Sequence, residues 1–434
     1  VQIRPDHPPL LDALGAWLRR VGPILSLAVA LAAAPVLFFG CFFELTEGTR
    51  WRHIPSPSPA APLLLDRRIS VRLSPRDGAA ELAVTCPFAV LHAESGETIL
   101  PGSEPLAPAP VRPSGSNGIQ LGNKTIPAAD IRIAPIRDAS IVLGGRTYRG
   151  DLRIRRSEKG LLFINQLDME AYLRGVLCGE LPRAFHPESF KTLAVAARSY
   201  AFYQKQATPP GRAYDVNDGE GSQVYGGVEK ECPIADQAVE ETTGRVCTWN
   251  DGARDALVCT YYSSTCGGLS LAVRNVKPND PDIPPLRGNV ACTDCQYQAP
   301  HYRWGPVEFT RPQLTRLVVA RYPRLKSLGT ITRIRPKGLT RDGRIITVEL
   351  VGSGGQAETL IGEDFRLAVG SRALRSTHFT IDARPDRFIF KDGRGFGHGM
   401  GLCQYGMDYK ARRGMDYQKI LSLYYPGAAI TRLY

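Results

Sequence analysis

No run of more than two consecutive lysines and arginines interrupts the 434 residues, although the formal net charge is +12. Zinc-finger spacings, RNP motifs and basic helices are missing as well, which removes the usual routes by which a basic chain reads nucleic acid. There is no GxSxG around any serine, so a hydrolase nucleophile elbow is excluded. No Gly-Lys-Ser/Thr follows the Gly-rich stretch near the C-terminus and no βαβ unit frames it, so it is not a phosphate cradle. Internal repeats are absent. The positive charge therefore points to an anionic surface: acidic lipid, or the teichoic and peptide carboxylates of a cell wall.

What is present begins with an apolar run at 23–43, preceded by a segment (1–22) that carries Arg19 and Arg20. The run is about long enough to span a bilayer once and longer than the apolar part of a cleaved signal, about 7–15 residues. It predicts a single-pass signal anchor at the cell membrane, arginines inside and the rest of the chain outside the cytoplasm. A secreted chain, or a lipoprotein carrying its lipid on Cys41, is the alternative. The Pro/Ser/Ala-rich stretch within 44–66 cannot pack a core and reads as a semi-rigid linker.

With 43% hydrophobic and 22% charged residues, the remainder is long enough for sizeable cores. From 67 to 165, short alternating runs such as ISVRLSP, ELAVTC, DIRIAP and DLRIRR predict a β-rich subdomain, with Pro101 to Pro113 as a proline-heavy loop. The period changes at 166. Asp168 is placed to cap a helix over MEAYLRGVLCG, and His186-Pro187 to open a second one with Pro at its first position. Strands and loops fill Tyr214 to about Leu350, with a helix near Pro312–Arg321. A strand at Arg387–Phe390, a Gly-rich loop and two short helices close the chain. The fold class is α+β: a β-rich N-terminal part and a helix-containing core, 166–434, forming a cleft.

Four blocks in order carry a resemblance. Leu167 to Gln204 reads LDMEAYLRGVLCGELPRAFHPESFKTLAVAARSYAFYQ; the others are YDVNDGEGSQVYGG from Tyr214, CTYYSSTCGGLS from Cys259, and FGHGMGLCQYGMDYKARRGMDYQKILSLYYPGAAI from Phe396. Together they resemble the SpoIID/LytB family of stage II sporulation proteins D and amidase enhancers, over roughly Ile69 to Tyr434. Met407 departs from that pattern, where a small Ala is usual. The family's sporulation members are lytic transglycosylases, and the resemblance puts their catalytic glutamate at Glu180. That implies cleavage of peptidoglycan glycan strands by a single acid/base without a cofactor. The other branch implies a non-catalytic partner that binds the wall and stimulates a separate N-acetylmuramoyl-L-alanine amidase.

A carboxyl in apolar surroundings keeps its proton toward neutral pH, as the donor to a leaving sugar oxygen must. A water-using hydrolase would need a second carboxylate, for which Asp215, Asp218 and Glu220 are the nearby candidates. Arg198, Gln223, Tyr225, Ser263, Ser264, His398 and Gln404 are the candidate substrate-binding residues. Arg198 suits substrate oxygens or a neighbouring carboxylate, and Tyr225 suits a pyranose face. His398 either faces the cleft or is bonded inside its own turn. Among ten cysteines, Cys266, Cys292 and Cys295 with His301 form a candidate structural zinc site; a disulfide involving Cys292 or Cys295, or a redox pair, is the alternative. Cys86, Cys178, Cys232, Cys247, Cys259 and Cys403 read as buried thiols or disulfides of unassigned pairing.

Overall fold

In Arg68–Leu73 every second residue (Ile69, Val71, Leu73) is buried, as alternation in a half-buried strand requires. The computed structural model describes residues 66–74, 80–250, 252 and 254–434; the expected membrane segment at 23–43 and nearly all of the linker lie outside them. Among the described residues no helix is long and apolar enough to cross a membrane. Strands and helices mix throughout, so the architecture is α+β.

Two sheets occupy the first hundred described residues. A seven-stranded sheet has Arg68–Leu73 paired antiparallel with Gly160–Asp168 on one side and parallel with Val216–Asn217 on the other. A six-stranded sheet is built around Ala80–Val84 and Leu106–Ser114. This second strand corrects the expected proline-rich loop. Its prolines survive because each stretch has a ladder on one side only: Leu106 and Ala109–Val111 pair with Ala80–Val84, and Val111–Ser114 pair with Gly118–Leu121. Each proline thus sits on a locally open edge, where the missing N–H costs no ladder bond.

The strand Gly160–Asp168 runs straight into helix α1 (Met169–Glu180), and Asp168 accepts the Glu170 N–H at 2.9 Å as its cap. Helix α2 (Pro187–Gln206) opens as expected, with the His186 ring accepting the Glu188 N–H at 3.2 Å. Ala194 to Ala197 are all fully buried, so α2 is covered on every side, as a helix apolar all round must be. Helix α3 (Pro233–Glu241) lies in the stretch expected to hold only strands and loops. The disulfide Cys178–Cys232 ties the last turn of α1 to its start.

After α4 (Cys295–Gln298) the chain enters a second hydrophobic core, from Trp304 to Phe390. This core packs α5 (Arg311–Arg321) and α6 (Gly362–Val369) against two three-stranded sheets. The chain enters and leaves it side by side, Trp304 opposite Gly393. A Cβ on Gly393 would stand 2.2 Å from the Trp304 ring, so only glycine closes that junction. Helices α7 (Gln404–Arg412) and α8 (Tyr417–Tyr424) return to the first core.

Candidate functional site

Helix α1 carries Gly175 and Gly179 four residues apart, hence on one face. A Cβ at Gly175 would stand 2.6 Å from the Tyr225 ring, and one at Gly179 would stand 2.6 Å from the Val224 carbonyl. The bare face lets the segment Gln223–Gly227 lie directly on the helix, and Gly226 N–H donates to the Gly175 carbonyl at 3.2 Å. That contact aims the Val224 N–H at Glu180, whose Oε1 accepts it at 2.7 Å.

The other carboxylate oxygen is reached from the last sequence block. Tyr262–Ser263 pairs in parallel with Leu402–Cys403, which sets Gln404 at the start of α7. Its amide donates to Glu180 Oε2 at 3.3 Å. Burial pushes the Glu180 carboxyl above the ordinary carboxylate range; donation from Val224, Gln404 and the Tyr262 hydroxyl pulls it partly back, and the Glu220 charge adds to the rise. The glutamate is only partly buried, so part of its surface stays open. All four blocks that carry the resemblance thus converge on one side chain.

Beneath it the polar groups are closed on one another. Gln223 is fully buried, accepts from the Tyr172 hydroxyl at 3.0 Å and donates to the Tyr262 oxygen at 3.1 Å. Gln223 supports the site from below and has no surface to offer a sugar. Tyr225 is also buried; its hydroxyl donates to Asn165 at 2.8 Å and its ring packs against Tyr148 and Tyr172. It is not a platform for a pyranose.

Arg198 is the clearest reassignment. It is fully buried, and its Nε and Nη2 donate to the two oxygens of Glu170 at 2.9 and 2.6 Å, while Nη1 donates to the Arg245 carbonyl at 2.9 Å. A guanidinium so enclosed braces α1 against α2 and has no exposed surface. The neighbouring carboxylate is thus Glu170, while Glu188, near the start of α2, pairs with Lys191 at 2.8 Å.

Ser263 is buried, and its Oγ has no hydrogen-bond partner among the described residues. Ser264 and His398 are partly buried. His398 Nδ1 accepts the Met400 N–H at 3.0 Å, so the ring is bonded inside its own turn. Burial, partly offset by Glu363, pushes its imidazole down to about 4. Of the three other carboxylates, Asp215 and Asp218 accept the N–H groups of Ser70 and Ser74 at 2.8 and 2.9 Å, tying the loop to the sheet edge. Glu220 is exposed.

The expected zinc ligands come together with one exchange. The sulfurs of Cys266, Cys292, Cys295 and Cys403 lie within 4.8 Å of one another, all buried. His301 is exposed, and its Nδ1 lies 3.1 Å from Arg375 Nη1. Four thiols suit a soft tetrahedral cation, so the residues fit the group, with Cys403 and not His301 beside the other three. The signal was available: Cys403 sits in the same Gly-rich block as Gln404.

An α+β body whose separated sequence blocks meet around one carboxyl group is the class that fold and site define. A sequence model of the stage II sporulation protein family matches residues 157–249, and one described as a domain of unknown function (DUF8618) matches residues 291–401. An uncharacterized protein of Brachyspira hyodysenteriae is 30% identical over 289 residues, 66% of this chain and 73% of that one. The amidase enhancer of Bacillus subtilis is 26% identical over 295 residues, 60% of this chain but only 40% of its own length. Stage II sporulation protein D of the same organism is 25% identical over 282 residues, 62% and 76% of the two chains. The chain belongs to the SpoIID/LytB family.

Proposed function

We propose that this chain cleaves the glycan strands of peptidoglycan as a lytic transglycosylase, with Glu180 as its one acid/base. The observation that carries the reading is the state of Glu180: a partly buried carboxyl raised by desolvation, with Val224 and Gln404 fixing both oxygens. In the proposed reaction Glu180 gives its proton to the glycosidic oxygen as the C1–O bond breaks. The resulting carboxylate then takes the proton of the muramic acid C6 hydroxyl, and O6 closes onto C1. Atoms balance without water, so a second carboxylate is not needed. Acid/base assistance of this kind contributes about 10²–10⁴-fold. Ser264 and His398 are the remaining candidates for contact with the sugar, with Gln404 and Ser263 at its edge. We place the work outside the cytoplasm, on a chain tethered by its N-terminal apolar segment.

Digestion of purified glycan strands by the intact protein and by Glu180→Gln, read by mass spectrometry, tests this. Anhydro-muramic ends made by the first and lost in the second are expected. Strands unchanged by either protein would sink the reading. They would favour the second one, which the similarity to the Bacillus subtilis amidase enhancer supports: a wall-binding partner that stimulates a separate amidase.

A further inference from the structure

We propose that Cys266, Cys292, Cys295 and Cys403 bind one structural zinc ion that clasps the second core to the wall beside Glu180. A zinc tetrahedron with Zn–S bonds of about 2.3 Å has edges of about 3.8 Å. The sulfurs of Cys266 and Cys295 are 3.8 Å apart, and all four lie within 4.8 Å of one another. A disulfide needs its sulfurs at about 2.0 Å, as a bonded pair and not as a cluster of four. The donor set is closed and all-thiolate, with no place for a substrate, which marks a structural site.

The surroundings are those of a thiolate centre. Backbone N–H groups of Cys266 and Gly406 donate to Cys403 Sγ at 3.3 and 3.4 Å, and the Tyr424 hydroxyl lies 3.0 Å from Cys292 Sγ. Such outer bonds orient metal-bound sulfur. A Cβ at Gly406 would stand 2.2 Å from Cys292 Sγ, so glycine is what admits the cluster.

A second observation is independent of the cysteines. Arg344, from the hairpin of the second core, is fully buried. Its Nη2 donates to the Cys266 carbonyl, and no carboxylate lies within ion-pair distance among the described residues. A buried cation without a counter-charge is costly. Four thiolates around one divalent ion carry a net charge of −2, which adds to the longer-range charges of Asp342 and Glu363.

The chain positions give the clasp its meaning. Cys292 and Cys295 lie within the stretch matched by the domain of unknown function, while Cys266 and Cys403 flank it. Cys403 adjoins Gln404, whose amide reaches Glu180. Zinc would therefore fix the start of α7 and the root of the inserted core together, whichever activity the chain has.

The test uses the full chain purified without chelator. Elemental analysis should find about one zinc per chain, retained in His301→Ala and lost in Cys403→Ser. Cobalt exchanged into the intact protein should give the visible bands of a tetrahedral tetrathiolate. Because Cys403→Ser could fail to fold, the unmutated protein is also denatured with chelator and alkylated without reductant. All four cysteines should then map as free thiols. A disulfide among them, the absence of zinc, iron in its place, or zinc lost in His301→Ala would each overturn the proposal.

Discussion

Arg198 and Glu170 allow a worked test of how a buried charge pair acts in this fold. Glu170→Leu removes the one carboxylate paired with a fully buried guanidinium among the described residues, leaving it the carbonyls of Arg245 and Ala194 at 2.9 and 3.4 Å. Losing one partner of such a pair costs about 3–5 kcal/mol, and this variant belongs at the upper end. Arg198→Met belongs at the lower end, because Glu170 keeps donors in the Tyr434 hydroxyl at 2.5 Å and the Gly244 N–H at 3.2 Å. The double variant removes both charges, so its loss should fall short of the sum of the singles by about 2–3 kcal/mol. Urea denaturation at pH 7 measures all four proteins, with an unchanged dependence on urea expected. Glycan binding by Arg198→Met, measured where the variant is fully folded, should match the parent. A variant that melts like the parent yet no longer binds glycan would refute the assignment and return Arg198 to the ligand.

Glu180→Gln should be more stable than the parent at neutral pH. A carboxyl whose folded pKa is raised contributes its stability at low pH and loses it as pH rises through the folded value; melting curves from pH 4 to 8 should show the two proteins converging at the acid end. For the same reason kcat/KM on glycan strands should fall as pH rises through the raised Glu180 pKa, because the working form is the acid; a rate that climbs with pH would contradict it. Gly175→Ala should destabilise despite the better helix propensity of alanine, since its methyl meets the Tyr225 ring; overpacking of this kind costs about 1–3 kcal/mol, readable as a lower urea midpoint. The His398 ring, pushed down to about 4, should show no NMR titration between pH 5.5 and 8.

Much of this was legible from residue order alone. Asp168 and His186-Pro187 announced α1 and α2 because capping chemistry is local. Proline composition misled over Leu106–Ser114, where ladder sides, visible only in the paired sheet, decide whether a missing N–H matters. Helix α3 also has a local signature, Pro233 followed by Ile234, Ala235, Ala238 and Val239 at helical spacing. Within the site, chemistry named Gln223, Tyr225 and Arg198 correctly as polar groups of the motif blocks. It could not say which way they face, because that depends on neighbours far along the chain: Tyr262 for Gln223, Asn165 for Tyr225, Glu170 for Arg198. Cys403 lies 108 positions beyond Cys295, and only its place beside Gln404 in the Gly-rich block pointed to it.

The adjoining ends of the second core have a consequence for how charge is carried. Read along the chain, the cations look evenly scattered, but between Arg303 and Arg394 there are 18 Lys/Arg against 9 Asp/Glu. Most of the net +12 therefore rides on a module that leaves the body and rejoins it at a single strand pair. Closing so short a gap adds little chain entropy, so such a module can be gained, lost or recharged in descent while the geometry around Glu180 stays as it is. The excess of positive charge and the Glu180 carboxyl are thereby carried on different pieces of the polypeptide, and selection can adjust the one without disturbing the other.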